Sequence, residues 1–527
     1  TMPAAVPLLS LACVLAADPS PAPARSVEFA LQRRDAVTGR AEITREALDP
    51  ARVGIVGIDM WNWHWCKTSA ARVACLVPRM SKCLDAARGL GMQVFWCPTD
   101  VADNYAGTPM VEEAIAVPRI PLPSVEVPPC PPARDGGGCT CGKERCRGNY
   151  GWDGMHPDFV VQSGDLMPNE PEALYSLAQA KGITHLIYMG VHTQVCLLGK
   201  SVGVRSMLQA GMKCILARDL TDAHGCYDPA AGITPDGFTA EVVEHFEKHL
   251  VPTIDMVETM RAAGRWDCGS LVDPVRFAPW GTPARPHVFD GDVTVTLSAP
   301  LEAVSEIRFT LDGSEPAAQS AAYRGAIRLE TTARVRARAF SGGNPIGLAS
   351  EAFFARLGKE PPRPDIHIAD LEPWRAVGPG HSPSFRDHRF SATSNPPQAN
   401  RSNRKGPLRL RGKTYETGLG VHAPSQVIHE LKPEYDRFVA RAGIDEGILE
   451  TSFGSNLAMH PSVVFRVFID GKLAAESPVM RISEEPWRFE VKIPTGSRRI
   501  SLCATDAGDG NREDLADWVD AGFVVAR

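Results

Sequence analysis

From Ser26 to Gly264 the chain alternates short, unbroken apolar runs with longer stretches of helical spacing. Val53-Gly54-Ile55-Val56-Gly57-Ile58 is apolar at every position, the pattern of a strand buried on both faces. Ala70 to Gly89 follows with Val73, Leu76, Val77, Met80 and Leu84 on one helical face. The alternation continues with a strand over Met92–Trp96, a helix over Pro171–Lys181 closed by Gly182, and a strand over Thr184–Met189. A helix over Leu197–Gly211 and a strand over Lys213–Ala217 come next. Strands and helices taking turns predict a parallel sheet covered on both faces. From about Ala284 to Arg356 the period changes to two, as in Val335-Arg336-Ala337-Arg338-Ala339, which predicts a small antiparallel sandwich. A Pro-rich linker, Gly358 to Pro364, leads to a third, β-rich block over Asp365–Arg527, with a hairpin expected around Asp470-Gly471.

Length agrees with several domains: 527 residues suggest three or four at roughly 150 residues each. Hydrophobic residues at 44% and charged residues at 22% exclude wholesale disorder. Lys plus Arg number 56 against 62 for Asp plus Glu, a net charge of -6. Such a balance gives no field for gripping a polyanion, so nucleic acid is not expected as a partner. No internal apolar run is long enough for a membrane span. At the N-terminus, Val6 to Ala17 is a short apolar stretch followed by a Pro/Ala segment, and residues 1–24 read as a secretory leader. The expected location is therefore secreted, periplasmic or at the cell surface.

Ligands of open α/β sheets bind at the carboxyl ends of strands. Asp59 closes the first apolar strand, and Cys196 follows the strand Thr184–Met189 through Gly190-Val191-His192-Thr193-Gln194-Val195. A cysteine at the start of the next helix would meet free N–H groups that favour a thiolate and can hold an oxyanion. A carboxylate facing it supplies a base. Taken singly, an Asp after a strand is an ordinary turn former and a Cys in a helix an ordinary core residue. Together with Gly211 and Asp222-Ala223, these residues resemble the isochorismatase-like cysteine hydrolases, which include nicotinamidases and N-carbamoyl amidases. The resemblance implies Cys196 as nucleophile, Asp59 as base, a cis peptide between Val191 and His192, and an oxyanion hole from the N–H groups of His192 and Cys196. The family also has an assisting Lys after a strand whose counterpart here is Asp158–Val161, yet Gln162-Ser163-Gly164-Asp165 follows. Lys200, one turn beyond Cys196, is the one substitute in view.

No cofactor and no catalytic metal are expected: the stretch after Pro98 lacks an Asp-x-His pair, and His64 in Trp61-Asn62-Trp63-His64-Trp65 stands alone. The neighbouring tryptophans read as pocket walls. Cys130, Cys139, Cys141 and Cys146 lie in a Pro/Gly-rich insertion between Pro118 and Trp152. Their spacing is not that of paired C-x-x-C knuckles, so two disulfides are the expectation in an exported chain, with zinc the alternative.

Ile307 to Pro316, with Tyr323 and Val335–Phe340, resembles the chitobiase/hexosaminidase C-terminal domain, an immunoglobulin-like sandwich that implies a spacer. Gly418 to Ser425, Phe438 to Asp445, Val463 to Lys472 and Asp506 to Trp518 resemble the NPCBM module, which implies carbohydrate binding. Trp374, Tyr415, His422 and Trp518 have the side chains that stack on or hydrogen-bond to sugars, and the run Asp506 to Asp520 has donors for a structural calcium. The expectation is thus a multidomain chain, an α/β three-layer parallel-sheet domain followed by two β-sandwich domains. Its function is hydrolysis of an amide or related C–N bond in a small-molecule substrate through a Cys196 thioester, targeted to a polysaccharide or cell-surface glycan. The alternative is a non-catalytic glycan-binding or adhesion protein whose α/β domain has lost its Lys.

Overall fold

The computed structural model describes residues 26–526 except 99–100, 128, 135–137, 142–145, 147–151, 153, 226, 229–230, 266–274, 300–303, 380–389, 392–394 and 451–460. The segment read as a leader lies outside the described residues.

The first unit is built on a seven-stranded sheet. Its elements are β1 (Val27–Arg34), β2 (Ala41–Leu48), β3 (Val53–Ile58), α1 (Lys67–Leu90), β4 (Gln93–Cys97), α2 (Pro109–Ala116), α3 (Pro171–Ala180), β5 (His185–Val191), α4 (Val204–Gln209), β6 (Lys213–Asp222), α5 (Pro235–His249), β7 (Thr253–Ile254) and α6 (Met256–Ala262). The strand order is β2-β1-β7-β6-β5-β3-β4, with the run from β7 to β4 parallel and β1 and β2 antiparallel at one edge. Alternate residues of β3 face opposite ways, as strand geometry requires. Val53 and Ile55 join α1 and α6 in one core cluster, while Val56 and Ile58 join α3, α4 and α5 in another. Three layers result.

Two expected elements differ. Asp158–Val161 forms no strand; Phe159 packs edge-on against Trp96, while Val160 and Val161 are exposed. Leu166 makes the bridge to Phe95 instead, so the crossover runs past the expected position. Helical backbone after β5 begins with a π turn over Thr193–Leu197, runs on through Leu198 and Gly199, breaks at 200–203 and resumes at α4, rather than running unbroken from Leu197 to Gly211.

The second unit begins before Ala284. Strand β8 (Arg276–Ala278) pairs with β10 (Val293–Ser298), and β10 with β13 (Ile327–Leu329). The facing sheet is β12-β11-β14-β15-β9, built from β9 (His287–Phe289), β11 (Glu306–Thr310), β12 (Ala321–Ala322), β14 (Ala333–Ser341) and β15 (Asn344–Arg356). The third unit is a sandwich of two further sheets. One contains Gly418–His422, Leu515–Val525, Tyr435–Ile444 and Trp487–Lys492; the other contains Arg375–Pro379, Ser425–Glu430, Arg499–Thr505 and Val464–Ile469. Lys472–Glu476 turns back on Val464–Ile469 through Asp470 and Gly471, both at positive φ (47° and 79°), as a tight hairpin demands.

The three units meet around Trp61–Lys67. Lys67 Nζ lies 2.6 Å from Glu484 of the third unit and 3.4 Å from the Pro286 carbonyl of the second, and the ion pair is buried. Arg285 covers the Trp63 ring at 4.2 Å and donates to the carbonyls of His64 (2.5 Å) and Trp65 (2.9 Å). Arg481 covers the Trp63 ring at 4.8 Å, and Trp65 packs against the third unit's core. The second unit, expected as a spacer, therefore grips the loop after β3.

Candidate active site

The site collects at the carboxyl ends of three neighbouring strands, β6, β5 and β3. Ile58 and Gly190 are registered partners, which sets Asp59 beside the turn after β5. Gly190 has φ +116°, and a Cβ there would sit 2.0 Å from the Ile58 carbonyl oxygen, so only glycine allows this approach. Asp59 itself is fully buried with φ 51°. The Val191–His192 peptide is cis. Thr221 donates to the Gly190 carbonyl (2.8 Å) and its hydroxyl lies 2.7 Å from that of Thr193, fixing the turn from the β6 side.

Asp59 accepts a hydrogen bond from the Cys196 thiol. Burial first, then the Asp59 charge, pushes that thiol well above its usual range, so the resting sulfur is protonated. This differs from a thiolate held by a helix N-terminus: Cys196 lies inside the π turn, and its opposing carboxylate outweighs the backbone N–H groups. Lys200 completes the set. Its backbone N–H bonds to the Cys196 carbonyl at 3.1 Å, a helical turn that brings its side chain back over the site. Lys200 Nζ lies 3.2 Å from Asp59 Oδ1 and donates to the Cys97 carbonyl at 2.7 Å. The amine beside Asp59 thus comes from the Cys196 turn and not from the residues after Val161. Gln162 is remote from it, its amide bonded to Asp85 at the surface.

Aromatic and imidazole rings gather around His192, in the turn after β5. Trp61 stacks on His64 at 4.7 Å and on Trp152 at 5.2 Å. His64 is not alone. It meets His192 at 5.4 Å and His224, two residues past the end of β6, at 5.3 Å, and one ring nitrogen of each of the three lies within 4.8 Å of the others. Gln194 holds His224 by its backbone, donating to its carbonyl (2.7 Å) and accepting from its N–H (3.1 Å). His64 Nδ1 accepts from the Cys66 N–H at 3.1 Å. His192 Nε2 is buried with no hydrogen-bond partner among the described residues. Burial lowers the pKa of His64 and His192, keeping both neutral. Imidazole nitrogens are metal ligands or hydrogen-bonding groups for a polar substrate, and three gathered this closely could hold a divalent cation. His224 was missed in the sequence, although it follows Asp222-Ala223 directly.

The thiols also differ from expectation. Cys130 stands apart, its Sγ 3.5 Å from His245 Nε2, and Cys66 takes its place beside Cys139, Cys141 and Cys146. No described cysteine is in a disulfide. The insertion loop folds back on the segment before α1, a long-range meeting that spacing within the loop does not reveal.

In the third unit the four sugar-binding candidates do not converge. Trp518 is fully buried between the sheets, ringed by Phe465, Phe489 and Phe438 at 5.0, 5.2 and 6.3 Å. Tyr415 is buried with Leu408, Leu410 and Val519. Both are core residues. Trp374 is 49% exposed, with the Arg499 guanidinium 3.7 Å over its ring. His422 is half-buried, its Nε2 2.9 Å from the Asn511 carbonyl and its Nδ1 3.4 Å from the Asn395 amide. Asp509 pairs with Arg481 at 3.3 Å and Asp514 accepts the Ser462 N–H at 2.8 Å; the aspartates of this run gather in no group of three among the described residues.

The two β-sandwich units fall into known domain families. Residues 384–524 match the NPCBM/NEW2 domain, and residues 285–348 match the chitobiase/beta-hexosaminidase C-terminal domain. Among curated proteins, the chain is 32% identical over 118 residues to alpha-1,3-galactosidase B of Akkermansia muciniphila, covering 22% of this chain and 14% of that protein. It is 28% identical over 189 residues to a Renibacterium salmoninarum protein described as an endo-alpha-N-acetylgalactosaminidase, covering 35% of this chain and 11% of the other. The chain therefore spans only a small part of the length of these relatives. Among solved structures, a cysteine hydrolase from Pseudomonas syringae is 15% identical, with 42% of this chain and 96% of that chain covered and a TM-score of 0.27. The CBM51 module of a Clostridium perfringens protein, solved with methyl-galactose, is 22% identical over 30% of this chain and 99% of that chain, with a TM-score of 0.25.

Proposed function

We propose that the chain is a glycan-targeted cysteine hydrolase of the isochorismatase-like kind, cleaving an amide or related C–N bond outside the cytoplasm. The observation that carries this reading is the junction of Asp59 with the Cys196 thiol and the Lys200 ammonium, 3.2 Å away. As Cys196 Sγ bonds to a substrate carbonyl carbon, its proton passes to Asp59, and the carbonyl π electrons move onto oxygen. The backbone N–H groups of His192 and Cys196 receive that oxyanion. Lys200 Nζ, 3.2 Å from Asp59 Oδ1, holds that carboxylate in place and offsets the negative charge of the site. Asp59 then gives the proton to the leaving nitrogen as the C–N bond breaks, leaving a thioester. Water attacks the thioester with Asp59 again accepting a proton, the C–S bond breaks, and the thiol is re-formed.

The non-catalytic alternative drew its support from a missing ammonium, and Lys200 supplies one. Glycan targeting rests on the NPCBM/NEW2 match over residues 384–524. Trp374, exposed and just ahead of the matched residues, and half-buried His422 remain as candidates, and such modules suit a secreted or surface-held protein. The test is hydrolysis of a panel of simple and N-carbamoyl amides by wild type and Cys196→Ala, beside a glycan array. Turnover lost in Cys196→Ala supports the enzyme. A folded wild type without turnover on any amide, yet retained on glycans, supports the adhesion reading.

A further inference from the structure

Four thiols converge where the aromatic loop enters α1. Cys66 Sγ lies 3.4 Å from Cys139 Sγ and 3.6 Å from Cys141 Sγ, and Cys146 Sγ lies 3.5 Å from Cys141 Sγ. All four sulfurs fall within 4.8 Å of one another. Zinc bonds thiolate at about 2.3 Å, so the edge of a tetrahedral zinc–sulfur site is about 3.8 Å. Bonded sulfurs would be about 2.05 Å apart. The observed spacing is near that of four ligands around one ion.

The surroundings suit thiolates. The N–H of Thr140 points at Cys66 Sγ and that of Cys141 at Cys139 Sγ, both at 3.4 Å. The Thr140 hydroxyl lies 3.3 Å from Cys66 Sγ, while the Cys141 thiol donates to Thr68 Oγ1 at 3.2 Å. Cys66 is also the N-cap of α1, where unpaired N–H groups favour negative charge. Donors aimed at sulfur are what ligating thiolates require around them. We infer that Cys66, Cys139, Cys141 and Cys146 form a structural zinc site. Soft thiolates in a closed tetrahedron select zinc over the harder divalent cations. No sulfur position is left for water, so the ion's role is to hold the chain. It ties the insertion loop to the segment carrying His64 on one side and Lys67, with its bond to Glu484, on the other. One ion thereby fixes both the loop that carries His64 and the junction of the three units.

The full-length chain, equilibrated with zinc and then dialysed against metal-free buffer, tests this by metal analysis. Cys66→Ser and Cys141→Ser should each hold one zinc equivalent fewer than wild type, while Cys130→Ser should match it. Should the serine variants fail to fold, wild type alone decides: an organomercurial should release one zinc, read with a chelating dye, as four thiols react. Cobalt exchange should add a thiolate-to-metal charge-transfer band. Zinc content unchanged in the folded Cys66→Ser and Cys141→Ser chains would overturn the inference. So would mercurial titration without zinc release, or peptide mapping that recovers these four cysteines as disulfides.

Discussion

At the ends of β3 and β5, Asp59 and His192 are buried: Asp59 meets the Cys196 thiol and Lys200, and the His192 ring lies 4.3 Å from that of His224. In the third unit, candidates of equally suitable type are scattered: Trp518 and Tyr415 are core, while Trp374 and His422 lie on the outside with different neighbours. The first arrangement is what chemistry needs, because a buried carboxylate is costly unless a cation such as Lys200 and a proton donor such as Cys196 meet it. The second is what a sandwich needs, because two twisted sheets pack only with large rings between them. Side-chain type proposes a role, and the neighbours decide it.

That contrast can be broken at several points. The largest effect should come from Cys196→Ala, which should lower amide turnover by at least ~10³-fold, the loss seen when a covalent nucleophile is removed. Activity that survives would move the chemistry elsewhere in the pocket. Next, Trp518→Ala should destabilise the third unit by about 3–5 kcal/mol through lost burial and a cavity, read as an early unfolding transition; near-neutral stability would return Trp518 to the list of sugar contacts. Lys200→Met should cut kcat by roughly 10²-fold if the ammonium supports Asp59 as base. In both chains, alkylation of Cys196 should be slow at neutral pH and climb as pH rises, because its thiol is held above the usual range; Lys200→Met, lacking the cation that pulls this pKa down, should need still higher pH. A fast, pH-independent reaction at neutral pH would reveal a resting thiolate.

Smaller effects sharpen the other side. Trp374→Ala should weaken retention on a bound glycan about tenfold, the scale of one exposed aromatic anchor, without moving the unfolding transition. Asp517 is buried beside Asp445, and burial and that neighbour raise its pKa well above the usual carboxylate range. A carboxyl with a raised folded-state pKa stabilises the fold fully below its unfolded value, and that contribution is lost as pH rises through the folded value. Asp517→Asn should therefore raise the melting temperature at pH 7 by about 2–4 °C, with the gain vanishing towards pH 4. A loss of stability at pH 7 would show that Asp517 is ionised and partnered in the fold.

Much of this was readable in the residues. The apolar run Val53–Ile58 and the helical spacing from Val73 to Leu84 state their elements because burial on two faces and on one face leaves different periods. Asp470-Gly471 states its hairpin because few residue pairs accept positive φ twice in succession. Asp59 and Cys196 were legible as strand-end residues in a recognisable turn, and Lys200 as the one cation a turn away from it. Only the folded chain decided which cation faces Asp59, because a side chain's direction after a π turn depends on the packing of that turn. Only it united His64 with His192 and His224, since each follows a different strand and their meeting is set by sheet order. The same holds for Cys66, separated by 73 residues from Cys139, and for Trp518, whose neighbours Phe438 and Phe489 come from other strands of its own sheet and Phe465 from the opposite sheet. Local periodicity is short-ranged and survives in the sequence; the convergence of distant side chains is a property of the closed core.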